Sequence, residues 1–153
     1  MSELEVKNIE LPPMRMISAY GFGTEPEPIA WDKMLIFALA KSLRKEGELP
    51  QTFGFNNPNP SKGSPNYGYE LWMPVVEDVL PEGDLRIVHF TGGLYAVTPF
   101  KDLNKIGKVW QQLAHWREAS HYKRGQHQWL EEQTAASDVL EELEFNLYLP
   151  IIE

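Results

Sequence analysis

Hydrophobic and polar positions alternate in several stretches of the chain, and two of these stretches repeat one another. Residues 69–75 (YELWMPV) match residues 145–151 (FNLYLPI) class by class: aromatic, polar, Leu, aromatic, long apolar, Pro and β-branched. Alternation with a high aromatic content is typical of β-strands, in which successive side chains point to opposite faces. We therefore predict two equivalent strands, each with an apolar face for a core and a second face of mixed character.

The second face of each strand is the candidate functional face. Glu70 and Trp72 share it in the first strand, and Asn146 and Tyr148 share it in the second. A buried carboxylate among rings would favour a cationic guest, since aromatic faces add about 0.5–2 kcal/mol each by cation–π attraction. We interpret the two faces as walls of a concave site for a flat, cationic molecule. The alternative is an exposed Glu70 paired with a Lys or Arg, with both rings filling the core.

The rest of the pattern predicts an α+β arrangement. Thr24 and Glu27 resemble a capping box at a helix start, Gly47 a helix stop, and 56–66 (NNPNPSKGSPN) a surface loop. Besides the strand from Tyr67 to Val76, strands are predicted at 6–11, 14–22, 51–55, 85–90, 94–98 and 145–152, long helices at 28–46 and 99–119, and a short helix at 128–133. The first helix is expected to bury one stripe, namely Trp31, Leu35, Ala38, Leu39 and Ser42.

The order of these elements repeats along the chain. Residues 1–153 are expected to form one domain of two pseudo-symmetric βαββ repeats, approximately 14–90 and 91–153, with the N-terminal strand completing the second. We expect antiparallel sheets with the two long helices on one face. A ligand groove is expected between the halves.

Composition narrows the classes of partner. The net charge of −8 and the pI near 5.0 argue against nucleic acid and suit a cationic ligand. The longest apolar run, Met34 to Ala40, is too short to span a bilayer, and the N-terminus lacks the pattern of a signal peptide. We therefore expect a soluble, cytoplasmic domain with no membrane association.

The common catalytic and metal patterns are missing from the sequence. The four histidines have no metal-ligand spacing, and there is no Cys, GxSxG motif or Gly-rich phosphate loop. We predict no metal, no cofactor and no assigned catalytic residue. An enzyme would have to use an acid and a water, with Glu70 or Glu131 as acid or base. The alternative for Glu131 is that it ties the short helix into the fold.

Several motifs taken together resemble one known family. The segments that carry the resemblance are 90–97 (FTGGLYAV), Ile106-Gly107-x-x-Trp110, Leu113-x-x-Trp116-x-x-x-Ser120-x-Tyr122, Leu130-Glu131 and 147–151 (LYLPI). They are similar to the GyrI-like small-molecule-binding superfamily, which includes the effector-binding domains of AraC-type and MerR-type multidrug regulators. Phe53-Gly54-Phe55 with 67–72 (YGYELW) resembles the stand-alone branch in particular.

This resemblance implies two βαββ halves around a groove for lipophilic, often cationic aromatic compounds. Some relatives sense drugs for an attached DNA-binding domain, some restrain DNA gyrase, and one branch hydrolyses cyclopropane-bearing DNA alkylators. No helix-turn-helix segment precedes this domain, so we expect no transcriptional activity of its own. The acid that relatives often carry in the final strand is Asn146 here, so Glu70 or Glu144 would have to supply the charge.

The sequence thus predicts a stand-alone protein for sensing or sequestering drugs and other xenobiotics. The alternatives are a hydrolase of reactive xenobiotics and an interaction protein whose partner is DNA gyrase or a regulator; both a monomer and a homodimer remain open. The predicted ligand-binding residues are Glu70, Trp72, Asn146, Tyr148, Tyr20, Phe22, Phe55, Tyr95 and Trp116.

Overall fold

The computed structural model describes residues 4–153, which fall into two compact units. Residues 14–90 form the central unit, and residues 4–13 with 91–153 form the terminal unit. In chain order the elements are β1 Lys7–Leu11, β2 Met14–Gly23, α1 Pro26–Ala40, β3 Phe53–Asn56, β4 Tyr67–Pro74, β5 Arg86–Phe90, β6 Gly93–Lys101, α2 Ile106–Glu118, β7 Lys123–Arg124, β8 Leu130–Ala135 and β9 Glu144–Ile152. Short 3₁₀ turns lie at Leu103–Lys105 and Leu140–Glu142.

The two units have the same strand order. The central unit runs β3-β4-β2-β5, and the terminal unit runs β8-β9-β6-β1, with antiparallel pairing throughout. In each unit, one long strand is followed by a helix and then by an antiparallel strand pair, which is β3–β4 in the central unit and β8–β9 in the terminal unit. β1 fills in the terminal unit the place that β5 fills in the central unit. The predicted α+β fold of two βαββ repeats is therefore confirmed.

The core of the central unit lies between α1 and one face of the sheet. Ile17, Leu71 and Met73 are buried there against Met34 of the helix. The apolar face predicted for the strand at 69–73 is therefore the one that packs on the helix. Each fully buried side chain of this size stabilises the fold by roughly 1.5–3 kcal/mol.

The predicted stripe of α1 is only partly right: Ala38 is buried and Trp31 packs half-buried against the core, but other positions differ. Ala30, Met34, Phe37 and Ala38 are buried, whereas Leu39 is 41% exposed. The sequence of α1 is apolar on nearly all sides, so its periodicity does not single out the face that packs on the sheet.

Both predicted ends of α1 also differ from the structure. Glu27 forms no capping box, because its two carboxylate oxygens accept hydrogen bonds from the hydroxyl of Tyr67, at 2.7 and 2.9 Å. At the other end, Ser42 adopts a positive φ of 58°, and the N–H of Leu43 donates to the carbonyl of Ala38 at 2.8 Å. The N–H of Ser42 also donates to the carbonyl of Leu39, at 3.1 Å. The two hydrogen bonds and the positive φ form a Schellman motif, which ends the helix well before Gly47.

The terminal unit buries the equivalent apolar face of β9 under α2. Leu147, Leu149 and Ile151 pack there with Leu113 of the helix. Residues 99–101 continue β6 rather than starting the helix. Pro99 is tolerated in β6 because the pairing with β1 ends at Val97, so no ladder bond needs its missing N–H.

The predicted helix at 128–133 is wrong. Residues Leu130–Ala135 form strand β8, which pairs along β9. Leu, Glu and Gln favour helices by intrinsic propensity, but pairing with the neighbouring strand overrides that preference here. This correction decides which acid belongs to the candidate site of the terminal unit.

Candidate functional site

Glu70 is a buried carboxylate on the sheet face opposite α1. Its side chain accepts hydrogen bonds from Ser18 Oγ at 2.7 Å, Asn57 Nδ2 at 3.1 Å and Trp72 Nε1 at 2.6 Å. The guanidinium of Arg86 lies 3.5 Å away, and its side chain is 66% exposed while that of Glu70 is 3% exposed. A buried charge needs such partners, and three of the four groups that contact this carboxylate are neutral donors.

Aromatic side chains surround Glu70 on the same face. Trp72 packs edge-on against Phe55, with ring centroids 4.7 Å apart, and lies 5.9 Å from Phe90. The pairing register puts Tyr20 and Phe55 on either side of Glu70, so all three share one face. The structure thus brings together four of the predicted ligand-binding residues. We name this cluster of Tyr20, Phe55, Glu70 and Trp72 the central ring face.

Phe22 lies at the edge of this cluster. It is two residues beyond Tyr20 on β2, on the same face, and is 54% exposed. It can therefore contact a ligand only at the rim of the central ring face.

The terminal unit has a corresponding cluster around Glu132. The hydroxyl of Tyr148 and the side-chain amide of Asn146 both donate to Glu132 Oε1, at 2.8 and 3.2 Å. Tyr95 packs edge-on against Tyr148 with centroids 5.7 Å apart, and its hydroxyl donates to the carbonyl of Gln128 at 2.6 Å. We name the cluster of Tyr95, Glu132, Asn146 and Tyr148 the terminal ring face.

The tyrosines of the terminal ring face remain protonated at neutral pH. Burial raises the pKa of Tyr148, and the hydrogen bond and negative charge of Glu132 raise that pKa further. Burial alone raises the pKa of Tyr95. Both hydroxyls therefore act as hydrogen-bond donors, and Tyr148 donates to a carboxylate.

Glu132 was not predicted from the sequence. The predicted helix concealed its alternation with Leu130, which in a strand puts both residues on one face. Glu131, the acid considered instead, pairs with Leu147 of the helix-covered face, and no short helix exists for it to hold. Glu144 is exposed at the start of β9.

Trp116 lies away from the terminal ring face. It sits on α2, packs against the core under the sheet, and stacks on Tyr122 with centroids 6.1 Å apart. Its spacing along the chain suits both that packing and a ligand site, so the sequence did not distinguish them.

The two ring faces share one arrangement. In each unit, a carboxylate on the face opposite the helix accepts a hydrogen bond from an aromatic side chain: Trp72 for Glu70 and Tyr148 for Glu132. The acid lies on different strands, because Glu70 belongs to β4, whereas Glu132 belongs to β8 and faces Asn146. Glu132 of β8 lies opposite Asn146, just as Phe55 of β3 lies opposite Glu70, so Glu132 and Phe55 occupy equivalent positions in the two units.

Neither a metal-binding cluster nor a membrane-spanning helix is found among the residues that the structure describes. Across residues 4–153, no three His, Asp or Glu side chains come together in a way that could hold a metal ion. Over the same residues, no helix has the length and apolar character needed to cross a membrane.

The comparison with known families places the chain among the effector-binding proteins. The chain belongs to the Cass2 family of integron-associated effector-binding proteins, whose family model matches residues 9–151. The predicted membership of the GyrI-like superfamily is confirmed by this match.

Solved structures share the fold at low sequence identity. A hydrolase from Listeria innocua has a TM-score of 0.71 at 12% identity, covering 99% of this chain and 94% of its own. SAV2435 bound to tetraphenylphosphonium has a TM-score of 0.63 at 9% identity, covering 97% and 94%. An integron cassette protein from the mobile metagenome of Vibrio cholerae has a TM-score of 0.57 at 11% identity, covering 98% of both chains. No curated protein sequence matches the chain.

Proposed function

We propose that this protein binds lipophilic cations that carry aromatic rings, and that Glu70 and Glu132 supply the negative charge that selects them. The observation that carries the proposal is the paired arrangement of a carboxylate and an aromatic donor in both units. Rings provide apolar contact and cation–π attraction, and a carboxylate held among them favours a positive guest over a neutral one.

Glu70 is suited to such a guest because its cationic partner is replaceable. Arg86 lies 3.5 Å away on an exposed side chain, whereas Ser18 and Trp72 hold the same carboxylate oxygen at 2.7 and 2.6 Å. A bound cation can take the place of the guanidinium while the neutral donors keep the carboxylate in position. The net charge of −8 also raises the local concentration of cations around the protein.

Glu132 provides a second, more accessible acid. It is half-buried, and the raised pKa of Tyr148 keeps that hydroxyl neutral beside it. The local charge of the terminal ring face is therefore set by the carboxylate. Asn146 does not carry this charge itself; it positions Glu132 through its amide.

The family supports the same ligand class. Cass2 proteins are effector-binding proteins, and SAV2435, which shares the fold, has been solved with tetraphenylphosphonium, a lipophilic cation. Sensing or sequestration of drugs and other xenobiotics is the role that this ligand class suggests.

The test is calorimetric titration with tetraphenylphosphonium and with neutral triphenylphosphine oxide. We expect Glu70→Gln and Glu132→Gln each to weaken binding of the cation at least about ten-fold, since charged hydrogen-bonding groups contribute about 1.5–3 kcal/mol and about 1.4 kcal/mol is ten-fold. Binding of the neutral compound should change less than two-fold.

The matched control is Glu131→Gln, which removes the same charge from the opposite face of β8. It should leave both affinities within two-fold of wild type. If all three variants weakened cation binding equally, the effect would come from the net charge of the protein, and a specific site at Glu70 and Glu132 would be refuted. Turnover of a cyclopropane-bearing alkylator, or capture of a protein partner that ligand does not alter, would favour the hydrolase or interaction alternatives instead.

A further inference from the structure

A cavity lined by positive side chains lies at the end of β6 in the terminal unit. Its volume is about 420 Å³, within the range of about 300–1,000 Å³ that is usual for small-molecule sites. Lys101, Lys105 and Lys108 all line it. Of its described lining residues, Glu5 alone carries a negative charge. This concentration of positive charge is unexpected in a protein of net charge −8.

The lysines at the cavity are not among the residues of the ion pairs that are resolved in the described part of the chain. Those pairs include Lys33–Asp84, Lys41–Glu82 and Arg86–Glu70, which lie in the central unit. None of the three lysines at the cavity has an ion pair or a side-chain hydrogen bond among those described residues. Lys101 faces Glu144 across the β6–β9 ladder without pairing with it.

The positions of Lys105 and Lys108 do not stabilise helix α2 either. Lys105 immediately precedes α2 and Lys108 lies in its first turn, where there is no acidic residue. Positive side chains are disfavoured there because the helix dipole is itself positive at this end. These lysines are therefore not explained by local stability.

The floor of the cavity is apolar and fixed. Phe100 lines it and stacks on Phe145, with centroids 5.3 Å apart and planes at 14°. Leu4, Pro99 and Val109 complete the apolar lining. A cavity with cationic groups and a flat apolar floor fits a molecule that has both an anionic group and an apolar body.

Lys101 follows Phe100 on β6, so its side chain leaves the strand on the opposite face and only its position borders the cavity. We propose that this cavity binds small organic carboxylates with a flat apolar body, held by the ammonium groups of Lys105 and Lys108 over Phe100. None of the residues that define the two ring faces lines this cavity, and it selects the opposite charge. It does not depend on the function proposed above. A protein with both sites would bind organic cations and organic anions at different places.

The probes are 2-naphthoate and its neutral analogue 2-naphthamide, titrated by calorimetry against the full chain. We expect Lys105→Gln/Lys108→Gln to weaken naphthoate binding about ten-fold, since each exposed charge contact contributes up to about five-fold. Raising the salt from 0.05 to 0.5 M should weaken the wild type and have little effect on the variant.

The control is Lys62→Gln/Lys123→Gln, which removes the same charge from two exposed lysines outside the cavity. It should leave the affinity for naphthoate within two-fold of wild type. Circular dichroism verifies that both double variants are folded. No measurable binding of naphthoate, equal binding of the amide, or equal affinities for wild type and Lys105→Gln/Lys108→Gln would each overturn the proposal. A gain of about ten-fold in naphthoate affinity in Glu132→Gln would also overturn the proposal, because naphthoate would then bind beside the terminal ring face and not in the cavity.

Discussion

The central and terminal units use the same framework to hold an acid in two different ways. Glu70 is almost completely buried and is held by Ser18, Asn57, Trp72 and Arg86. Glu132 is half-buried and is held by Tyr148 and Asn146. The repeat therefore fixes where an acid can stand beside a ring, but not which strand supplies it or how much of it is exposed.

This difference has an energetic consequence for each unit. A buried carboxylate is part of the fold, because its loss leaves donors without an acceptor in an apolar environment. A half-buried carboxylate can be lost with less damage, because water replaces the missing acceptor. We expect Glu70 to contribute to both stability and binding, and Glu132 to contribute mainly to binding.

The largest expected effect is the loss of the buried acid. Glu70→Ala should lower the free energy of unfolding by about 2–6 kcal/mol, since it leaves the buried donors of Ser18 and Trp72 without their acceptor, at about 1–3 kcal/mol each. Glu132→Ala should lower it by only about 1 kcal/mol. Urea denaturation followed by circular dichroism measures both, and equal losses in the two variants would remove the proposed distinction between the units.

A second test concerns the loop that reaches Glu70 in the central unit. A Cβ at Gly68 would lie 1.9 Å from the carbonyl oxygen of Asn57, so this glycine allows Asn57 to approach the carboxylate. Gly68→Ala should therefore cost about 1–3 kcal/mol through overpacking, with partial loss of the Asn57–Glu70 bond.

The control for this test is Gly107→Ala. A Cβ there meets no atom within 4 Å, and Ala favours the helix, so the variant should gain up to about 1 kcal/mol. A neutral Gly68→Ala would show that the approach of Asn57 is not tightly constrained.

The smallest effect belongs to the two buried tyrosines of the terminal unit. Their pKa values are raised above the ordinary 10.0, mainly by burial, so the native state binds these protons more tightly than the unfolded state does. Their contribution is fully present below about pH 10 and falls as the pH rises through the raised native pKa values.

Absorbance near 295 nm follows this ionisation. We expect Tyr95 and Tyr148 to resist titration at pH 11 until the protein unfolds, and stability to fall above pH 10. Tyr148→Phe should reduce this alkaline loss. Titration of all tyrosines near pH 10 in the folded protein would contradict the burial assigned to these hydroxyls.

Alternation was sufficient to predict much of this architecture from the sequence. The matching strands at 69–75 and 145–151, their apolar faces and the βαββ repeat all follow from side chains that alternate along a strand. Trp72 and Tyr148 were predicted beside a polar residue for the same reason.

The rest depended on tertiary contacts that a pattern does not contain. Residues 130–135 favour a helix by composition, and only pairing with β9 makes them a strand, so Glu132 was missed. α1 is apolar on nearly all sides, so its core face was not determined by periodicity. The approach of Asn57 to Glu70 from the 56–66 loop depends on how that loop folds back on β4.

The decisive measurement is the affinity for tetraphenylphosphonium divided by the affinity for triphenylphosphine oxide, in Glu70→Gln, Glu132→Gln and Glu131→Gln. We expect this ratio to fall at least about ten-fold in the first two variants and to stay near the wild-type value in the third. An unchanged ratio in Glu70→Gln and Glu132→Gln would show that the carboxylates beside Trp72 and Tyr148 play no part in selecting a cation.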